Sequence, residues 1–169
     1  DNGKKVLDNT LPSFAGSEVH FSPEGERLTL VQRESLRDGR EVESRMFVTE
    51  YDLVGGRAPR KLRWDRRGGA RDDEPYAGAR VDGRRQRVAL LDGDEVVVWA
   101  IDGDREVCRL DGRADAVAWR KDGRLLVSRT GGLEVCNGES GRREKRYPGS
   151  AGVRALVSSE DGRVVLGAG

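Results

Sequence analysis

His20 is the only histidine of the chain, and it stands two residues before Ser22 in the stretch HFSPEG. A histidine beside a hydroxyl group can act as a general base, with an acidic residue orienting its ring. The sequence marks no such acid for His20, which lies between Val19 and Phe21 on a predicted strand. A structural or surface role is therefore favoured over catalysis.

Four aspartates flank glycines in the stretches LDGDE and IDGDRE. Carboxylates in a D-x-D arrangement can bind a hard cation through their oxygens. Neither copy continues into the longer calcium loop, and Asp-Gly is a preferred dipeptide of hairpin turns. The sequence therefore predicts turns, and no metal site, at Asp92, Asp94, Asp102 and Asp104.

Cys108 and Cys136 are the only two cysteines. Two thiols in a chain of 169 residues make no disulfide framework, and without a histidine cluster they make no zinc site. The glycine pair in RTGGLEV (129–135) is not followed by the Lys and Ser/Thr that would bind nucleotide phosphates. We therefore expect reduced thiols that fill packing gaps, and no cofactor.

The charge of the chain is balanced, with 31 Lys and Arg residues against 30 Asp and Glu residues. A net charge of +1 provides no global field that would attract nucleic acid or an anionic membrane. No stretch approaches the length of a membrane-spanning helix, and the first residues, DNGKKVLDN, lack an apolar signal core. These features predict a protein of the cytoplasm, although a targeting segment upstream stays possible.

A short phrase built around glycine recurs along the chain, as FSPEGERLTLV, VDGRRQRVALL, RKDGRLLVS and SEDGRVVLG. Its glycines are separated by 58, 40 and 39 residues. A second kind of segment, a turn followed by a short basic strand, alternates strictly with the first. This alternation indicates a structural repeat of about 40 residues. The glycines of the first phrase are Gly25, Gly83, Gly123 and Gly162.

Each repeat reads as four short strands that are separated by glycine-containing turns. The middle strands, such as RVALL (87–91) and EVVVWAI (95–101), are almost continuously apolar, as expected of strands covered on both faces. The fourth strands carry charge, which discourages edge-to-edge pairing. The pattern predicts an all-β fold of four-stranded antiparallel blades. In the third repeat the four strands are predicted at 115–120, 124–129, 133–137 and 143–148.

These residues resemble a WD-repeat β-propeller. FSPEG (21–25) matches the phrase that ends the first strand of that family's blade, and Tyr51–Asp52 matches its aromatic-acidic dipeptide, which weakens to Trp99–Ala100 and Cys136–Asn137. The family's Gly-His pair is missing. The stretch YDLVGGRAPRKLRWD (51–65) is also similar to a TolB-type propeller, which remains the alternative.

The resemblance covers the whole chain, which we interpret as a single β-propeller region over 1–169. It implies about four blades, or an incomplete part of a larger propeller. An incomplete ring would leave blade faces open, so self-association through those faces is a further expectation. The predicted parts are a strand of a preceding blade at 3–8, blades at about 17–63, 76–111 and 114–148, and a partial blade at 152–169.

The first repeat contains two insertions, at 32–44 in the turn between its second and third strands and at 63–75 in the crossover to the next blade. The resemblance implies that both emerge on one face. Trp64 among arginines is a plausible hot spot for a protein or an anionic ligand, whereas the acidic run 72–74 argues against nucleic acid. The alternative is a solvated loop that covers Trp64. The candidate partner-binding residues are Trp64, Arg63, Arg66, Arg67, Arg71, Arg37 and Arg40.

The expected function is that of a non-catalytic scaffold for protein–protein interaction, without enzyme activity. A sensor or substrate-gating propeller beside a catalytic domain absent from this chain is the alternative. A propeller hydrolase or lactonase with a metal in its channel is a third possibility. That class needs several His, Asp or Glu residues at the channel, and a single histidine argues against it.

Overall fold

The computed structural model describes residues 17–38, 41–66, 79–92, 94–149, 153, 155–159 and 165–168. All its elements are β-strands, so the prediction of an all-β chain is confirmed. The strands are β1 (Ser17–Phe21), β2 (Arg27–Asp38), β3 (Glu41–Asp52), β4 (Arg60–Arg66), β5 (Ala79–Asp82), β6 (Arg87–Asp92), β7 (Glu95–Ala100), β8 (Arg105–Asp111), β9 (Ala116–Trp119), β10 (Arg124–Arg129), β11 (Gly132–Asn137), β12 (Arg143–Pro148), β13 (Ala155–Ser158) and β14 (Val165–Ala168).

These strands form three four-stranded antiparallel sheets and one two-stranded sheet within the described ranges. Each four-stranded sheet follows chain order, as β1-β2-β3-β4, β5-β6-β7-β8 and β9-β10-β11-β12. This arrangement is that of propeller-like blades, as the repeat predicted. The first sheet lies in one compact unit, Asp1–Asp72, and the other sheets lie in a second unit, Asp73–Gly169. The predicted strand at 3–8 falls outside the described residues.

The first sheet differs from the other two by its long central hairpin. β2 and β3 each have 12 residues, and their ladder runs from Arg27↔Asp52 to Asp38↔Glu41. The sequence predicted an enlarged turn over 32–44, and this prediction was wrong, because both strands continue through the segment. The stretch is polar and therefore lacks an apolar strand signal, but backbone pairing does not require apolar side chains. The buried apolar residues of the first sheet are Leu28, Leu30, Val31, Val48 and Leu62.

The second and third sheets share an apolar core in the second unit. Val96 and Val98 of β7 belong to the same buried cluster as Leu125 and Val127 of β10. All four are essentially inaccessible to solvent, as expected of central strands covered on both faces. The other buried members of this core are Ala89, Leu91, Leu110, Val117 and Cys136.

The opposite face of the third sheet packs against β13 of the two-stranded sheet. Leu126 and Val135 contribute to this second cluster, and Leu156 of β13 lies 4% exposed within it. β12, by contrast, is exposed at all six residues. The third sheet is therefore covered on both faces but open along its outer edge.

The recurring glycine phrase forms the turn between the first and second strands of a sheet. In the first sheet the Gly25 N–H donates to the Ser22 carbonyl at 2.9 Å, and Gly123 bonds in the same way to Arg120 in the third. Both glycines have φ angles, 73° and 83°, that favour residues without a side chain. In the second sheet the positive φ falls on Gln86 instead.

The dipeptides compared above with the aromatic-acidic pair of WD repeats lie at the end of the third strand of each sheet, and they stand at the same register position in all three sheets. Asp52, Ala100 and Asn137 pair with the first residue of the preceding strand in their sheets. The Asp52 carboxylate accepts N–H groups of Val54 and Gly55, and the Asn137 side-chain carbonyl accepts those of Glu139 and Ser140. Both side chains therefore close the turn that follows, as Asx-turns do.

The part of the chain that the structure describes holds no helix long and apolar enough to cross a membrane.

Candidate functional site

The sequence-predicted binding residues lie on the first sheet, as far as the structure describes them. Arg63, Trp64 and Arg66 belong to β4, and Arg37 belongs to β2. Arg40, Arg67 and Arg71 lie outside the described residues.

The strand β3 connects the two insertions of the first repeat. Its Met46 pairs with Trp64 of β4 and with Arg33 of β2, and its Ser44 pairs with Arg66. The backbone therefore places residues of both insertions at matching register positions on the two sides of β3. Strand pairing, rather than two converging loops, produces this juxtaposition.

His20 has an acidic neighbour that the sequence reading missed. Its Nε2 lies 3.1 Å from Oε2 of Glu18, two residues earlier on the same face of β1. The Ser22 hydroxyl accepts the backbone N–H of Arg27 at 3.2 Å. Ser22 thereby serves the turn between β1 and β2. The period of two along a strand could have identified Glu18.

The aspartates of the second sheet take part in a turn. Asp104 has a φ of 47° and accepts the indole N–H of Trp99 at 3.3 Å. Asp102 lies in the same turn, between β7 and β8. Within the described ranges, no three His, Cys, Asp or Glu residues are placed to hold a metal ion.

Both cysteines are free, and both lie against the core shared by the second and third sheets. Burial raises the pKa of the Cys136 thiol to about 11, with the Glu134 carboxylate adding to the effect. Burial also raises the pKa of Cys108. Both thiols are therefore protonated at neutral pH, which suits packing rather than nucleophilic chemistry.

A buried polar cluster that the sequence reading missed centres on Arg87, the first residue of β6. Its Nη2 lies 3.1 Å from Oδ2 of Asp82, and both side chains are 6% exposed. Its Nη1 donates to the Gly138 carbonyl at 2.9 Å, and its guanidinium lies 4.8 Å from the ring centre of Trp119. Gly138 and Trp119 belong to the third sheet and its turns, so Arg87 joins two blades.

A second arginine joins the same two sheets through the connection between them. Arg129 of β10 donates to the carbonyls of Gly112 and Arg113, which link β8 to β9. Its Nε also lies 3.1 Å from Oε2 of Glu134, and Oε1 of that carboxylate accepts Arg143 at 3.0 Å. The contact between the second and third sheets, called the joint below, therefore has an apolar core. Arg87 and Arg129 add contacts from their guanidinium groups to backbone carbonyls.

The polar side chains described above bind other groups of the same chain. Arg87 and Arg129 direct their donors at internal carbonyls and carboxylates, and His20 and Asp104 are engaged within their own strands and turns. Comparison with known proteins finds no protein-family model that matches the chain. No curated protein matches it either.

Proposed function

We propose that the chain is a non-catalytic β-propeller scaffold of WD-repeat-like type that mediates protein–protein interaction through its first sheet. The observation that carries the proposal is the hairpin of β2 and β3, whose strands are twice as long as the six-residue central strands of the other two sheets. At about 3.3 Å per residue, six extra residues extend the hairpin by about 20 Å.

The composition beside this hairpin supports the proposal. Trp64 pairs with Met46 of β3, and Arg63 and Arg66 flank it on β4. Tryptophan and arginine are enriched among the residues that dominate binding energy, and a rigid scaffold holds such residues at low entropic cost.

The WD-like assignment is supported by the third-strand dipeptides. Asp52 and Asn137 stand at the same register position of different sheets and accept hydrogen bonds within the following turn. The backbone N–H of Gly55 in particular holds the pKa of the Asp52 carboxyl below its ordinary value. These residues stabilise blades and leave partner recognition to the elements that do not repeat.

The test uses affinity capture with the purified chain, followed by titration of each captured protein. The variant Arg63→Ala/Trp64→Ala/Arg66→Ala should weaken binding of a true partner at least tenfold. A control variant, Arg84→Ala/Arg105→Ala, changes exposed arginines of the second sheet and should bind as the parent does. Circular dichroism establishes that both variants fold. Equal affinity of the triple variant and the parent for every captured protein would refute the proposal.

A further inference from the structure

The outer edge of the third sheet, β12, is open along its length. In the sheet order β12 is terminal and has one neighbour, β11, among the strands that the structure describes. All six of its residues are exposed, whereas β10 of the same sheet is buried at four positions. An open edge offers backbone N–H and carbonyl groups to any extended chain that can align with it.

The charge along this edge is strongly positive. Arg142, Arg143, Lys145 and Arg146 stand against a single acid, Glu144. The Glu144 carboxylate is already held by Arg124 of β10, whose side chain lowers the pKa of Glu144.

The remaining cations have little internal compensation. Arg143 reaches Glu134, but the Lys145 ammonium lies over the Tyr147 ring at 4.6 Å, and Arg146 reaches only the Gly131 carbonyl at 3.4 Å. Lys145 and Arg146 have no carboxylate partner among the described residues. Their charges are thus available to a ligand.

The corresponding edge of the second sheet shows that this surplus is not required of an outer strand. β8 carries Arg105 and Arg109 together with Glu106 and Asp111. Arg109 bridges two carboxylates, one on Glu106 and one on Glu95 of β7. Charge on β8 is therefore balanced within its own sheet, and charge on β12 is not.

We infer that β12 is a docking edge for an acidic, extended segment of a partner protein, which adds as a further strand beside it. Backbone hydrogen bonds would hold the segment, and its carboxylates would face Lys145 and Arg146. Tyr147, 44% exposed, offers an apolar surface at the end of the strand. A second copy of β12 does not fit this edge, since pairing would bring like charges together.

This inference goes beyond the interaction proposed for the first sheet and involves other residues. Failure of one proposal therefore leaves the other intact. Substitutions on β4 should not alter peptide binding at β12, and substitutions on β12 should not alter capture through Trp64.

The test is a titration of the full chain into a fluorescently labelled eight-residue peptide of two Glu-Glu-Thr-Thr repeats, followed by anisotropy at low salt. Consecutive glutamates place carboxylates on both faces of the added strand, as Lys145 and Arg146 lie on opposite faces of β12. We expect saturable binding, and we expect the variant Lys145→Glu/Arg146→Glu to bind the peptide with at least tenfold lower affinity. The matched variant Arg84→Glu/Arg105→Glu makes the same charge change elsewhere in the second unit and should bind within twofold of the parent. Equal losses in both variants would show that only net charge matters and would overturn the inference.

A second measurement separates strand addition from charge attraction. A peptide of the same sequence with an N-methyl group on every backbone amide loses its hydrogen-bond donors but keeps its carboxylates, and it should bind at least tenfold more weakly. Added unmodified peptide should slow amide hydrogen exchange in β12 and leave β8 unchanged. Equal affinity for the two peptides would contradict strand addition. A single-stranded oligonucleotide that binds more tightly than the peptide, and whose binding Lys145→Glu/Arg146→Glu abolishes, would contradict it too.

Discussion

Arg87 and Arg124 occupy the same position in neighbouring sheets, since each is the first residue of the second strand, yet their surroundings are opposite. Arg87 is 5% exposed and contacts Asp82, the Gly138 carbonyl and Trp119. Arg124 is exposed and pairs with two exposed carboxylates, Asp122 and Glu144. Arg27 holds the same position in the first sheet and is also exposed.

The difference between these arginines teaches that a repeat position has no fixed role. Arg87 is buried because Trp119 and two glycine turns of the third sheet close over it. Gly138 and Gly123 lack side chains, and their carbonyl oxygens approach the guanidinium at 2.9 and 3.5 Å. The neighbouring sheet, rather than the local sequence, determines whether the arginine is buried between two blades or exposed on the surface.

The largest effect is expected for Arg87→Met, which keeps an unbranched aliphatic stem but removes the charged guanidinium group. It leaves the buried Asp82 without its closest partner and the Gly138 carbonyl without this donor. Breaking a buried ion pair in this way costs about 3 to 5 kcal/mol. Urea unfolding followed by tryptophan fluorescence measures the loss.

A double-mutant cycle with Asp82→Asn tests the cause of that loss. If the ion pair is responsible, Arg87→Met should cost less in the Asp82→Asn background than in the parent. An unchanged cost would assign the effect to the carbonyl contacts and Trp119 instead.

A smaller loss is expected for Gly138→Ala in the turn beside Arg87. A Cβ atom there would lie 2.4 Å from the Gly123 carbonyl oxygen and 2.5 Å from Trp119 Cζ3. Such overpacking costs about 1 to 3 kcal/mol. Gly103→Ala is the matched control, because its Cβ would meet only ordinary contacts with Arg105 from 3.5 Å. Equal midpoints of unfolding for the two variants would contradict the close approach.

Trp119→Phe should be milder still, because it retains a ring against Arg87 and removes one hydrogen bond. The indole N–H donates to the Arg80 carbonyl at 2.7 Å, which links the third sheet to the second. Loss of that bond should cost about 1 kcal/mol. Thermal unfolding of the variant should show a lower midpoint, and the amide exchange of β5 should accelerate.

The smallest effect is expected for Arg124→Met, with a midpoint of urea unfolding that hardly changes at pH 7. Hydrogen bonds from Arg124 lower the pKa of Glu144, and backbone and side-chain hydrogen bonds from Arg124 outweigh burial at Asp122 and lower its pKa too. A carboxyl with a lowered pKa stabilises the fold above its ordinary pKa and loses that contribution as the pH falls through the folded-state value.

The small difference between the parent and Arg124→Met should therefore shrink from pH 7 to pH 3. A difference that grows on acidification would show that the surface pairs are not its source. An effect of Arg124→Met as large as that of Arg87→Met would remove the contrast between the two positions.

The sequence predicted strands well where apolar runs or glycine-containing turns mark them. The segments 124–129 and 143–148 coincide with β10 and β12. It failed in the polar stretch 32–44, where pairing extends β2 and β3 without an apolar pattern. It could not single out Arg87 either, because RVALL and RLLVS read alike and the partners of Arg87 lie 36 and 51 residues away. For the predicted binding residues, the residue types could be read from the sequence. That Trp64 lies beside Met46 follows only from the pairing of β3 with β4.

The chain-order arrangement of the sheets has a consequence for biosynthesis. Every described strand pair joins consecutive strands, so each four-stranded sheet draws its hydrogen bonds from one continuous stretch of chain. Such sheets have short sequence separations, and each can begin to form as soon as its own stretch has left the ribosome. The contact from Arg87 to Gly138 must wait for 51 more residues. We therefore expect the blades to form first and their joint to close last.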